Sequence, residues 1–201
     1  MALTQLERRT RTRGVCLDAA LDTLVEHGSA RFTTTLVCRR AGISQGALFR
    51  YFPTKAELLA AVCSHLFTKL RDEYTLRFRD LNDDQRTIGG ALDLLWDAMS
   101  DPRLAAAFDL YTDARTDSVL RESIEPVVRA HLDRIAGLAA DLAADLETSA
   151  DAEHVTAAVE LAVLSMQGWV LNHMACPNPA ARHRLSATLR VVLPELLGPT
   201  P

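Results

Sequence analysis

Four cysteines in 201 residues, none in CxxC spacing, are too few and too scattered to frame a disulfide-stapled fold or a zinc site. Cys16, Cys38 and Cys63 fall on apolar stripes of predicted helices and read as reduced packing thiols, whereas Cys176, just before Pro177, ends a helix and is expected to be accessible. The N-terminal stretch lacks an apolar core and a cleavage site, so secretion is not signalled, and no run reads as a membrane span. The expected location is cytoplasmic. No glycine-rich phosphate loop, GxGxxG, GxSxG or HExxH occurs, which removes the common signatures of nucleotide, acyl and zinc chemistry. His173 and Cys176 could offer two metal ligands, but no third stands near them in sequence. The expectation is therefore no enzyme, no cofactor and no metal.

No alternation of apolar and polar residues calls for a strand, and no internal repeat is visible. What remains is helical periodicity. Leu17, Ala20, Leu21, Leu24 and Val25 mark a first helix closed by Gly28. A second follows Thr33 or Thr34 and ends at Gly42. A third runs from about Gln45 to Tyr51, capped by Ser44 and stopped by Pro53. Thr54 and Glu57 form a capping box for a long fourth helix. Five more are read at roughly 85–99, 102–116, 118–147, 151–175 and 179–197. Asp101-Pro102, Thr148-Ser149 and Pro177-Asn178-Pro179 punctuate them. Pro126 should kink the 118–147 helix or mark its first turn. The fold class is all-α, with about nine helices.

The net charge of −4 hides an asymmetry. Residues 1–55 hold nine basic side chains against four acidic ones, a balance of +5, which leaves −9 for the rest. A basic head on an acidic body suits a phosphate-binding module joined to a regulatory domain. A solvated basic tail would show the same imbalance.

Residues 33–55, TTTLVCRRAGISQGALFRYFPTK, are the most specific segment. Gly42 can supply the left-handed turn between two short helices, and Val37, Ala41, Ile43 and Leu48 can face inward. Ser44, Gln45, Gly46, Ala47 and Arg50 are then left on the face that such modules lay into the major groove. A helical hairpin that touches no DNA is the alternative.

Thr34-Thr35, Ala41-Gly42-Ile43-Ser44-Gln45-Gly46, Leu48-Phe49-Arg50-Tyr51-Phe52 and Lys55-Ala56-Glu57-Leu58 together resemble the DNA-binding signature of the TetR/AcrR family of transcriptional regulators. Arg13, Ala19, Ala20, Leu24 and Gly28 extend the likeness upstream. The resemblance implies an N-terminal helix-turn-helix domain over residues 1–54 and a helical effector-binding and dimerisation domain over 55–201. It implies that Thr34 meets a phosphate, Gln45 and Ser44 reach base edges, and Gly46 admits the DNA backbone. Tyr51 and Lys55 would clamp phosphates, and Arg39 belongs to the same surface. Ala47 stands where the family usually has threonine, and Phe49 where it usually has tyrosine, so a phosphate hydrogen bond is lost that Arg50 would replace.

The resemblance further implies a repressor, released by a small and mostly apolar effector, that binds a roughly palindromic operator of double-stranded DNA. Pairing as a homodimer has independent support in the sequence. The 118–147 helix carries alanines, Gly137 and large aliphatics, including Leu146, on more than one face, and the 151–175 helix is apolar nearly all round from Val155 to Leu164. Burial within a monomer is the alternative. Aromatic and thioether side chains concentrate in the middle helices. Phe67, Trp96, Met99, Phe108, Tyr111, Met166 and Trp169, with Thr112, Arg115 and His173 as polar contacts, are the candidate effector-binding residues; core packing would use most of the same set. A helical enzyme, or an interaction module without DNA binding, is the competing function.

Overall fold

Thr4 opens the first helix. Its hydroxyl accepts the Glu7 amide at 3.2 Å while the Glu7 carboxylate accepts the Thr4 amide at 2.6 Å, a reciprocal cap. The helix thus begins well before the apolar stripe that marks it in the sequence. The signal was Thr4-x-x-Glu7, hidden because an arginine-rich stretch and not an apolar run follows it.

The structure is a computed structural model that describes residues 4–145 and 150–198. Among these residues the elements are nine helices and no strand: α1 (Gln5–Arg31), α2 (Thr34–Ala41), α3 (Gln45–Phe49), α4 (Lys55–Arg79), α5 (Ile88–Met99), α6 (Pro102–Ala114), α7 (Ser118–Asp145), α8 (Ala152–Ala175) and α9 (Pro179–Leu197). The all-α expectation holds. Leu146 and the expected break at Thr148-Ser149 lie outside the described residues.

Further boundaries differ from the sequence reading, with α6 ending at Ala114 and not 116, and three of them differ for evident local reasons. Gly28 adopts a left-handed φ of 69° as expected of a stop, yet helical turns resume as far as Arg31. Helix α3 ends at Phe49, because Pro53 disfavours helical geometry at Phe52 and the chain turns instead, with the Tyr51 and Phe52 amides both donating to Leu48 O. Helix α5 begins at Ile88. Asn82 folds residues 82–87 into a turn by accepting the Gln85 amide on its side chain, and Thr87 then caps α5 by accepting the Gly90 amide. Helix α7 runs through Pro126.

The chain divides into two compact units, residues 1–69 with 102–129 and residues 70–101 with 130–201. Helices α4 and α7 contribute to both. In the first unit α1 packs on α2 and on α6. Its core joins Leu17, Leu21 and Leu24 to Phe32, Val37, Leu48, Leu58, Leu66 and Leu110, all buried. Each such side chain contributes about 1.5–3 kcal/mol of burial. Thr23 is buried among them, and its hydroxyl donates to Ala19 O at 2.6 Å, so no polar group is stranded. Asp18 fixes α1 to α4 by accepting from Lys69 at 2.6 Å and meeting His65 at 2.8 Å. Burial alone would raise its pKa, but these two partners outweigh burial and hold the carboxylate below its ordinary value.

In the second unit α8 packs on α9, and α5 packs on both. Phe78, Leu94, Trp96, Val163, Met166 and Leu193 are buried in it. Asp151 caps α8 and Asn178 caps α9, with Pro179 in the first turn. Helix α8 is more apolar than the sequence reading allowed: its 24 residues include an eighteen-residue window of mean hydropathy 1.2, long and apolar enough to cross a membrane. Only a third of that window is buried within the chain. Leu161, Leu164 and Leu171 follow a helical spacing along one side and are exposed.

Candidate nucleic-acid interface

The turn between α2 and α3 is set by Gly42, whose φ of 67° and ψ of 33° lie in the left-handed region that a side chain disfavours. Val37 and Leu48 are fully buried on either side of it and hold the two helices together. Thr33, and not Thr34, caps α2 by accepting the Leu36 amide at 3.3 Å, which leaves the half-buried Thr34 in the first turn. Ser44 caps α3 by accepting the Ala47 amide at 3.2 Å. Its hydroxyl still has a proton to donate.

Ser44, Gln45, Gly46, Phe49 and Arg50 are exposed, while Ala47 and Tyr51 are half-buried. Gln45 is oriented by a bond the sequence did not announce: its side-chain amide donates to the Thr35 hydroxyl at 2.9 Å. That leaves its carbonyl oxygen and a second N–H free to meet a base edge. A Cβ at Gly46 would meet nothing within 4 Å, so the backbone there is open to a close approach. Phe49 presents an apolar ring to solvent, consistent with a phenyl face and no hydroxyl donor.

Basic groups surround this face. Arg39 and Arg50 are exposed and form no ion pair among the described residues. Arg40 is different, since it is tied to Glu26 of α1. Lys55 opens α4, where Thr54 caps the helix by accepting the Glu57 amide at 3.0 Å. Its ammonium lies 5.6 Å from the centre of the Phe32 ring, and the Arg13 guanidinium lies 5.2 Å from that of Phe52. Such cation–π contacts hold flexible cations in place without neutralising them. Lys55 therefore adds its charge to the positive end of a capped helix, a favourable place for a phosphate. Thr35 and the Glu26–Arg40 pair are the positions the sequence reading missed. A hydroxyl ten residues from its amide partner leaves no periodic trace.

The effector candidates fall into both units. In the first, Phe67 and Phe108 are buried, and Phe108 meets the half-buried Tyr111 edge-on at 6.0 Å. Burial, with Cys63 adding to it, pushes the Tyr111 hydroxyl above its ordinary pKa. Thr112 and Arg115 are exposed, and the Thr112 hydroxyl donates back to Phe108 O. In the second unit Met99 and Met166 are buried, and Trp96 meets Trp169 edge-on at 5.4 Å. Trp169 stacks on His173 at 4.5 Å, and the Arg182 guanidinium sits 5.2 Å and 5.9 Å from the centres of the two indole rings. Among these candidates, Trp96 lines a cavity of 340 Å³ that also takes in Asp93, Asp97 and Arg182. A smaller apolar cavity of 90 Å³ and a cleft of 520 Å³ lie in the same unit and are lined by other residues.

Residues 17–62 match the family described as bacterial regulatory proteins, tetR family. An uncharacterized HTH-type transcriptional regulator of Mycobacterium tuberculosis is 34% identical over 128 residues, 64% of this chain and 66% of that protein. The HTH-type transcriptional regulator CymR of Pseudomonas putida is 35% identical over 125 residues, 62% of each chain. The matched region thus falls just short of two thirds of these relatives' own length. In fold, the chain resembles a TetR-family transcriptional regulator from Cytophaga hutchinsonii, with a TM-score of 0.69 over 97% of this chain and 98% of that one, at 16% identity. Residues 17–62 therefore carry the N-terminal helix-turn-helix domain of the tetR family of bacterial regulatory proteins.

Proposed function

We propose that the chain is a ligand-responsive, DNA-binding transcriptional repressor that acts as a homodimer in the cytoplasm. The observation that carries this reading is the exposed Gln45, held by Thr35 on the outer face of α3, with the capped, cationic start of α4 alongside. Residues 1–54 serve as the DNA-binding part and residues 55–201 as the effector-binding and dimerising part. Gln45 and Ser44 read base edges in the major groove. Thr34, Arg39, Arg50, Tyr51 and Lys55 meet phosphates, Ala47 and Phe49 offer apolar contacts, and Gly46 lets the strand come close.

A single reader of this length makes too few contacts for specific binding, so pairing is part of the proposal. Two copies spaced about 34 Å apart, or a multiple, match successive major grooves, and the operator is roughly palindromic. The dimer forms through α7 and α8. Support comes from Leu132, Leu161, Leu164 and Leu171, which are between 40% and 61% exposed in the single chain. An effector bound in the C-terminal body alters the spacing of the two readers through α4. Substituting the aromatic, thioether and polar candidates named from the sequence tests which of them touch it.

Selection of duplexes from a random pool by the purified protein at low ionic strength tests the reading. Enrichment of a palindrome-like sequence is the expected result, followed by its release in a metabolite screen. No preference among duplexes would remove the proposal. Replacing Arg50 and Lys55 by glutamine separates it from an enzyme or adaptor, because DNA binding is then lost while the dimer persists.

A further inference from the structure

The 520 Å³ cleft in the second unit is built differently from the rest of that unit. Its walls come from the C-terminal half of α4 (Arg71, Thr75, Phe78, Arg79) and the second half of α7 (Asp133, Arg134, Gly137, Leu138, Asp141, Leu142). The lining holds three arginines and two aspartates, and no ion pair joins them among the described residues. Arg71 is the most enclosed of the three. One guanidinium nitrogen, Nη2, reaches Asp72 at 3.3 Å, but Nη1 is buried with no hydrogen-bond partner among the described residues. A buried guanidinium N–H without an acceptor is rare, since its desolvation is uncompensated. The neighbouring His131 supplies no counter-charge, since an imidazole is either neutral or cationic. Burial first, then Arg71 and Arg134, hold that imidazole's pKa down to about 4, so it is neutral at pH 7.

The other half of the cleft is apolar. Phe78 and Leu138 line it, and Leu142 is shared with the 90 Å³ apolar cavity, which Tyr74, Leu95 and Val155 also line. The hydroxyl of Tyr74 is already committed, donating to Ala91 O at 3.2 Å. A ligand that suits both parts carries one negative charge at one end and an uncharged body at the other.

We propose that this cleft binds a small organic carboxylate, whose anionic head accepts from Nη1 of Arg71 and whose apolar body lies along Leu138 toward Leu142. This rests on the reading that the C-terminal body senses an effector, and it names the chemical class. A charge-assisted N–H···O bond from a guanidinium favours a carboxylate over an alcohol or an amine. The two aspartates on the same wall disfavour dianions.

The test is calorimetric titration of the full chain with butyrate, octanoate, benzoate and phenylacetate, against octanol and octylamine as neutral and cationic probes. At least one acid should bind, and at least ten-fold more tightly than octanol and octylamine. Arg71→Gln should weaken that acid by ten-fold or more and leave octanol unchanged. Gly137→Leu is an independent blocking variant. A Cβ there meets nothing within 4 Å, so the added side chain starts in open space, and sedimentation of the same variant checks that pairing through α7 is intact. This variant too should reduce acid binding ten-fold or more, with the melting temperature held or raised. The proposal is overturned if no acid binds, if octanol binds as well as the best acid, or if Arg71→Gln and Gly137→Leu leave acid binding intact. Gel-shift affinity for selected DNA is measured on the same samples. If the unsubstituted protein binds an acid but prefers no duplex, the repressor reading falls and the cleft's assignment stands.

Discussion

The side-chain amide of Gln45 donates to the hydroxyl of Thr35 at 2.9 Å, joining the first residue of α3 to the first turn of α2. Side-chain ordering is a cost of binding, and a glutamine already oriented loses less freedom when it meets a base. Gln45→Ala should weaken selected DNA by about 1–3 kcal/mol, and weaken unrelated duplexes far less. Thr35→Val removes only the tether. It should cost about 0.5–1.5 kcal/mol in specific affinity, with unfolding by urea unchanged in both variants. Equal effects on selected and random DNA would show that Gln45 reads no base.

Lys55 stands at the capped start of α4 with its ammonium over Phe32. A phosphate contact carries no sequence preference, so Lys55→Gln should lower affinity for all duplexes alike. The slope of log affinity against log salt should fall by about two, one per subunit of a dimer. Fluorescence anisotropy at several salt concentrations checks both.

Gly42 and Gly46 are separated by one turn and should respond in opposite ways. At Gly42 the cost of a side chain is backbone strain alone, because φ is 67° and the added Cβ meets nothing within 4 Å. Gly42→Ala should destabilise by about 1 kcal/mol. Gly46 has no such φ, so Gly46→Ala should be neutral or stabilise by up to about 1 kcal/mol while lowering DNA affinity at least ten-fold, by about 1.4 kcal/mol. Urea denaturation and DNA titration on the same preparations separate the two roles.

His131 makes stability depend on pH in a stated direction. Its folded pKa is about 4 against an ordinary 6.5, chiefly through burial, with Arg71 and Arg134 adding to it. The unfolded chain therefore binds the extra proton first, and stability present above pH 6.5 is lost as pH falls toward 4. The ring is only partly enclosed, so after discounting for solvent the loss is about 1 kcal/mol. Denaturation midpoints between pH 4.5 and 7, read as a difference between the protein and His131→Gln, measure it; a difference that does not change with pH would contradict the assignment.

Leu161 and Leu164 are 40% and 61% exposed on α8. If they pack in a dimer, each contributes about 1.5–3 kcal/mol of burial. Replacing both by glutamate should raise the dimer dissociation constant at least a hundred-fold, by about 2.7 kcal/mol, with helix content retained. Sedimentation velocity across a concentration series reads this directly.

Sequence alone determined the helical class, most helix boundaries and the reader turn. These follow from short-range rules: apolar spacing near 3.6 residues, caps at Ser44 and Thr54, and the left-handed tolerance of Gly42. Tertiary structure alone decided which side chains meet across elements. Thr35 orienting Gln45, Glu26 holding Arg40, Arg182 lying over Trp96 and Trp169, and the cleft beside Arg71 join residues from 10 to 86 positions apart. Helical periodicity says which face of a helix is apolar, but it does not say what that face touches. The candidate effector residues were chosen for aromatic and thioether character, a property that packing and ligand contact share. The charged cleft was missed because an arginine's lack of a partner is a property of three-dimensional packing and leaves no pattern in the chain.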